Sequence, residues 1–329
     1  MAQSTLSDFK IYEEQYFAGQ NEYLQQNSDI FNTASTGAIR FVTLRRKGQY
    51  EQESFFKGIS NLIVRRDPSS VASVTDKKME MDEFVRVKIN RRVGPVSVNR
   101  DAFRKAGMDP ESFSFQLGQQ IAPAIQVDYA NAAIASASAA LRGVSALVTD
   151  KVTGDGAKTM RHTYLANALA KFGDAAGRIK CWVMHSKPYY DLVAQSITDN
   201  VFQIGGMVVM GGIPPTLGKP TIVVDSSALV ETSGSSTSSY ITLGLVEDAV
   251  TVMQSEESEI VSQLLTGQEN LGVRIQGEHA YNVGVKGFKY DMTNGGPNPT
   301  DAALATSTNW DVAASFDNKQ LAGVLLITD

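Results

Sequence analysis

The sequence predicts an α+β fold, and three stretches carry that expectation. Residues 109–143 read as one helix of roughly 30 residues. Residues 39–92 alternate apolar and polar side chains in the strand period, and LAGVLLIT (residues 321–328) forms a short apolar run near the end of the sequence.

The helix pattern begins at Asp109, whose carboxylate can accept from free backbone N–H groups, with Pro110 where a missing N–H costs nothing. Phe113, Leu117, Ile121, Ile125, Tyr129 and Ala133 recur every four residues and predict one buried stripe. The C-terminal half (Ala132, Ala133, Ala135, Ala137, Ala139, Ala140) is nearly all small, so other backbones can approach it closely. Pro123 removes the N–H that would bond Gln119 and predicts a bend, and Gly143 predicts the stop. At about 1.5 Å per residue such a rod is roughly 50 Å long, a spine for a flat molecule.

The chain has 329 residues, enough for a sizeable core, with ordinary hydrophobic (43%) and charged (20%) fractions. A single cysteine, Cys181, excludes an intrachain disulfide framework, and three histidines leave little material for a zinc site. No apolar run approaches 18 residues, so neither a membrane span nor a signal peptide is expected. Charge is uneven: 14 Lys/Arg against 7 Asp/Glu lie between Gly37 and Arg100, about +7, which leaves the rest of the chain near −12. That segment is either a solvated basic face or a surface that docks on acidic groups of another copy. Its arginine pairs have few aromatic partners for stacking bases, which argues against free genome binding.

In chain order, residues 1–36 form a polar arm studded with aromatics (Phe9, Tyr12, Tyr16, Phe17, Tyr23, Phe31), expected to order against its own body or a neighbour. Next, NLIVRR and EFVRVKIN predict a long antiparallel hairpin with DPSSVASVTDKKMEMD as its extended tip. Val85, Val87 and Ile89 point one way, and Arg86, Lys88 and Asn90 the other. An isolated ribbon is marginal in water, so a partner surface is implied. After the spine, Met160 to Phe172 predicts an amphipathic helix, RIKCWVMH a buried strand, and Ser186 the cap of a helix whose inner face is Tyr190, Val193 and Ile197. Strands follow at TIVVD, ITLGL and AVTVMQ, with ETSGSSTSSY as an exposed tip. LGVRIQGEHAYNVGVKGFKYD is strand-like, Thr300–Ala313 predicts a helix, and LAGVLLIT predicts a central buried strand.

Catalytic patterns fail on inspection. Gly154–Thr159 ends like a phosphate loop, but that motif needs glycine where Val152 and Ala157 stand. Cys181 and His185 lie about 13 Å apart if both sit in one strand, too far for a nucleophile and its base. His162 and His279 lack metal-ligand spacing, and Asp225 with Ser226 reads as a turn. No cofactor is expected. An α/β small-molecule enzyme on residues 150–270 remains the rival from another class.

The order of parts resembles the major capsid proteins of tailed double-stranded DNA bacteriophages, with the Hong Kong 97-type capsid fold. The run Gly212, Pro214, Leu217, Gly218, Lys219, Ile222, Val223 and Asp225 is similar to that family's axial domain. Pro299-Thr300, Ala303-Leu304-Ala305 and Asn309-Trp310 are similar to its C-terminal return. The resemblance implies an N-terminal arm (1–36), an extended loop (37–92), a peripheral domain (93–149) with its spine helix, an axial domain (150–270) and a return to the peripheral domain (271–329). It also implies pentamers and hexamers closing an icosahedral shell around double-stranded DNA without sequence-specific binding, a virion location, and assembly in the host cytoplasm without a membrane. A separate scaffolding protein, a portal and a decoration protein are the implied partners. Inter-subunit contacts are expected at Arg45, Arg46, Lys47, Arg65, Arg66, Lys77 and Lys78 on the loop, and at Phe9, Tyr12 and Tyr16 on the arm. Some relatives crosslink loop lysines, which points to Lys47, Lys57, Lys77 and Lys78. An encapsulin-like cellular shell is the nearest alternative of the same fold.

Overall fold

The structure, a computed structural model, describes residues 32–33, 35–44, 48–59, 62–99, 105, 110–152, 158–203, 216–233, 237–267, 269, 271–314 and 316–329. In order, the elements are β1 (Ile39–Thr43), β2 (Tyr50–Phe56), β3 (Met81–Asn99), α1 (Pro110–Arg142), β4 (Val148–Asp150), α2 (His162–Ala170), β5 (Ile179–Met184) and α3 (Ser186–Gln203). Then come β6 (Thr221–Val223), β7 (Val230–Ser233), β8 (Thr237–Val246), β9 (Val250–Leu265), β10 (Gly272–Val285), β11 (Phe288–Tyr290), α4 (Met292–Gly295), α5 (Asp301–Leu304), β12 (Trp310–Val312) and β13 (Gly323–Thr328). The arm at 1–31 and the phosphate-loop look-alike at 153–157 lie outside the described residues.

The spine is present as α1, 33 residues with Pro123 inside it. Ile125, Tyr129 and Ala133 are buried, as is almost every residue from Ala132 to Leu141. The side chains of Phe113 and Leu117 lie outside those described.

One sheet runs β1-β9-β10-β3-β2, with β1 parallel to β9 and the rest antiparallel. This corrects the expected all-antiparallel start. It also corrects the hairpin: β3 pairs with Tyr50–Phe56, while residues 62–66 join no strand among the described residues. As expected, Val85, Val87 and Ile89 face the core. Lys88 does not face solvent, however. It is 5% exposed and paired with Glu256 of β9, reaching across the intervening β10.

The second sheet runs β4-β13-β8-β5-β6, with β7 added on β8. β13 is central and buried at every position, as its apolar run predicts. Two helix expectations need correction. In α3 the inner residues are Pro188 and Leu192, four apart, whereas Tyr190 is exposed. The stretch after Thr300 is helical only to Leu304. Asn309 Nδ2 then donates to the carbonyl of Ala303 (2.8 Å) and Trp310 Nε1 to that of Leu304 (3.0 Å), turning the chain into β12.

Gly244 of β8 has a packing reason. A Cβ there would stand 2.6 Å from the Trp182 ring and 2.9 Å from Val324. Gly244→Ala should therefore cost about 1–3 kcal/mol through overpacking. Gly177→Ala, with open space around it, should be near neutral. Denaturant unfolding of both variants against the parent checks the pair.

Candidate assembly surface

The base of the β2–β3 hairpin is clamped to the body. Phe55 stacks on Phe84 with ring centroids 4.4 Å apart, and Phe316 meets both edge-on at 5.5 Å. Asp82 accepts from the backbone N–H of Ala314 (2.8 Å) and lies 3.5 Å from Lys289 Nζ. Burial alone would raise the Asp82 carboxyl. The N–H groups of Ala314 and Glu83 and the charge of Lys289 outweigh it and hold the group below the usual carboxylate range. Arg86 lies between Glu51 (3.4 Å) and Glu53 (3.1 Å) across the two strands. The backbone pairing ends where Lys57 N–H donates to Glu80 O (2.8 Å), and the Lys57 ammonium closes on the Glu80 carboxylate at 3.0 Å.

Beyond that closure the chain leaves the body. Every residue from 62 to 80 is exposed. Ser69 N–H donates to Asp67 Oδ1 (2.9 Å) and Ala72 N–H to Ser70 Oγ (3.2 Å), which are local turns of the kind Asp and Ser make. Ile63 is 97% exposed, Val71 fully so and Val74 90%. These apolar side chains take no part in the described core. Arg65, Arg66, Lys77 and Lys78 sit on this loop. Arg45, Arg46, Lys47, Phe9, Tyr12 and Tyr16 lie outside the described residues. The clamp of Phe55, Phe84, Phe316 and Asp82 was not legible beforehand, since Phe316, Ala314 and Lys289 lie more than 200 residues from the hairpin residues they hold.

A polar network fastens the spine to the first sheet. Asp128 Oδ2 accepts from Arg91 Nε (2.9 Å) and from the Tyr281 hydroxyl (2.8 Å), and the Arg91 guanidinium reaches Asp301 at 2.5 Å. Burial opposes the Arg91 charge, but Asp301, Tyr281 and Asp128 more than offset it and raise its pKa. Beside them His279 is 5% exposed, its ring 6.0 Å from Tyr129 and 6.2 Å from Tyr281, and neither ring nitrogen has a hydrogen-bond partner among the described residues. Burial lowers its pKa. The Asp128 charge opposes that shift and Arg91 adds to it.

The groups weighed as chemistry are structural. Cys181 is buried and its thiol is pushed up to about 12 by desolvation, so a thiolate is disfavoured there. Asp225 accepts from the Ser186 N–H at the start of α3 (3.1 Å) and lies 3.4 Å from His185 Nε2; these contacts hold its carboxyl low. It caps a helix. Among the described residues no group of three or more His, Cys, Asp or Glu could hold a metal, and no helix is long and apolar enough to cross a membrane.

The geometry is that of an α+β body carrying a hairpin clamped at its base and an exposed, partly apolar loop. Residues 8–325 match the family described as Gp13-like, Major capsid protein 13-like, and the chain belongs to that family. It is a structural protein of a capsid shell, and its place is the virion capsid. No curated protein matches it. Among solved structures it is similar to the cyanophage Pam1 capsid asymmetric unit (TM-score 0.53, 10% identity, 88% of each chain covered). It is also similar to the capsid of Ralstonia phage GP4 (TM-score 0.50, 10% identity, 90% of this chain and 88% of that one). These are likenesses of fold.

His279 makes the spine contact sensitive to acid. The folded pKa lies below the ordinary 6.5, so the unfolded chain binds more protons as the pH falls from about 6.5 towards the folded value, and stability drops across that window. Unfolding at pH 7.5 and 5.5 should show this loss in the parent. His279→Gln, which cannot titrate there, should flatten the slope.

Proposed function

We propose that the chain has the Hong Kong 97-type capsid fold and builds an icosahedral shell from pentamers and hexamers. In this reading residues 1–36 are the arm, 37–92 the extended loop, 93–149 the peripheral domain, 150–270 the axial domain and 271–329 the return to the peripheral domain. The observation that carries it is the loop at 62–80, whose exposed apolar and basic side chains call for a neighbouring subunit. Arg65, Arg66, Lys77 and Lys78 then meet acidic surface of that neighbour, with a strength that falls as salt rises. Arg45, Arg46 and Lys47 add to the same basic face, and Phe9, Tyr12 and Tyr16 anchor the arm on an adjacent copy.

A scaffolding protein, a portal and a decoration protein complete the assembly in the host cytoplasm, and double-stranded DNA is enclosed without sequence-specific contacts. Membership in a phage major capsid family supports this reading over a cellular cargo shell.

Recombinant chain examined by electron microscopy and sedimentation should give capsomers or closed particles. Trypsin should cut the unassembled chain first at Arg65, Arg66, Lys77 and Lys78, while particles resist at those sites. A compact monomer equally resistant at the loop would refute the proposal.

A further inference from the structure

Two parts of the chain lack their counterpart. The first is Leu62–Arg66, whose residues LIVRR have strand composition, yet they pair with nothing among the described residues and leave Leu62, Ile63 and Val64 in solvent. The second is the outer edge of β9. The strand β1 covers that edge only from Val250 to Gln254. From there to Leu265, no strand among the described residues pairs on that side, although β10 pairs on the other.

The register of β9 with β10 slips between Glu256 and Glu259, then runs regularly from Glu259 to Leu265. Those seven residues, about 23 Å of strand at roughly 3.3 Å each, offer a straight edge of free N–H and C=O groups. The opposite margin of the sheet, β3 beyond its pairing with β2, is blunted. Its register with β10 breaks around Gly94–Pro95, and Pro95 has no N–H to offer. The β9 edge has no proline.

Charge selects the occupant. The strand β9 carries Glu256, Glu257 and Glu259 and no Lys or Arg. Glu259 also lies directly opposite Glu278, whose other cross-strand neighbour is Arg92 of β3, so Glu278 has a cation beside it and Glu259, on the outer strand, does not have one in register. Two β9 edges brought together would repel, so the edge is guarded against pairing with itself. The LIVRR segment ends in two arginines. Added as a strand, it would set its alternating apolar side chains beside Val261, which is 59% exposed, on one face and beside Ile260 on the other. A cleft of about 390 Å³ lined by Glu259, Val261, Gln263, Arg274, Gln276 and Glu278 runs along that exposed face.

We infer that Leu62–Arg66 of a second copy adds to the Glu259–Leu265 edge of β9 as an extra strand, with Arg65 and Arg66 meeting Glu257 and Glu259, since Glu256 is already paired with Lys88. The contact rests on the shell reading above and specifies which surface of the neighbour receives the loop.

The test uses the full chain with Val64→Cys and Val261→Cys together; the native Cys181 is buried and does not compete. Particles are assembled, oxidised, then separated under denaturing, non-reducing conditions. A covalent ladder longer than a dimer is expected, since each copy both donates and receives a strand. Particles without a ladder, or an equal ladder from Val64→Cys with Val312→Cys, overturn the contact while leaving the shell intact. A ladder from Tyr12→Cys with Val261→Cys gives the edge to the arm and overturns it as well.

Charge provides an independent reading. Arg65→Glu with Arg66→Glu should lower the particle yield roughly tenfold, and adding Glu257→Lys and Glu259→Lys to that chain should restore it, with melting curves confirming that each variant is folded. Folded variants with unchanged yield, or no restoration, count against the contact. If the parent itself forms neither capsomers nor particles, the shell reading fails and the contact with it.

Discussion

Both sheets are anchored on one helix, and they can be because in its run from Ala132 to Ala140 only Ile134 is larger than a methyl or hydroxymethyl group. Ala132, Ala133, Ser136, Ala137, Ala139 and Ala140 are buried, so strands and short helical turns from both sheets approach the α1 backbone at once. Polar pins then fix the contact on either side. The Asp128–Arg91–Tyr281 network ties the helix to the first sheet, while the Ser226 hydroxyl donates to Asn131 Oδ1 (2.7 Å) and Arg142 pairs with Glu231 of β7 on the second. A bulky residue in the alanine run would separate the helix from one sheet or the other. The clamped hairpin base depends on that arrangement too, because Phe316 and Ala314 hold it only while the chain before β13 stays in place.

How much of this was legible in the sequence depends on the range of the deciding interaction. The spine, the burial of Val85, Val87 and Ile89, and the central position of β13 follow from local pattern, and each was readable. The true partner of β3 was not. Tyr50–Phe56 is YEQESFF, too polar to stand out beside LIVRR. What selects it is Phe55 against Phe84 and Phe316, a contact spanning most of the chain. The helix expected through Ala313 ends early for a similar reason, since the Asn309 and Trp310 side chains compete for the carbonyls of Ala303 and Leu304. Tyr190 was misplaced because Pro188 and Leu192 define an equally regular stripe, and only the packed sheet distinguishes the two faces.

The error at LIVRR is informative in its own right. A segment with the composition of a strand that finds no partner on its own chain has a local preference its own fold does not satisfy. In a protein that works as a monomer such a segment is a liability, because exposed apolar strands pair indiscriminately. In a shell subunit the preference can be met by a neighbour.

Monomer and assembly then place opposite demands on the same residues. The loop must stay soluble before assembly, which its arginines and lysines secure, and must bury Ile63, Val71 and Val74 afterwards, which those charges oppose unless acidic groups receive them. Acidic groups placed in the core of the same chain would capture the loop on its own body. Placed on an edge strand across the sheet from the hairpin, with β10 and β3 between β9 and β2, they sit apart from the loop of their own subunit. In the proposed contact, separation of the basic and acidic surfaces within one subunit would favour contact between copies over self-closure, in keeping with the uneven division of charge in a chain of net charge only −5.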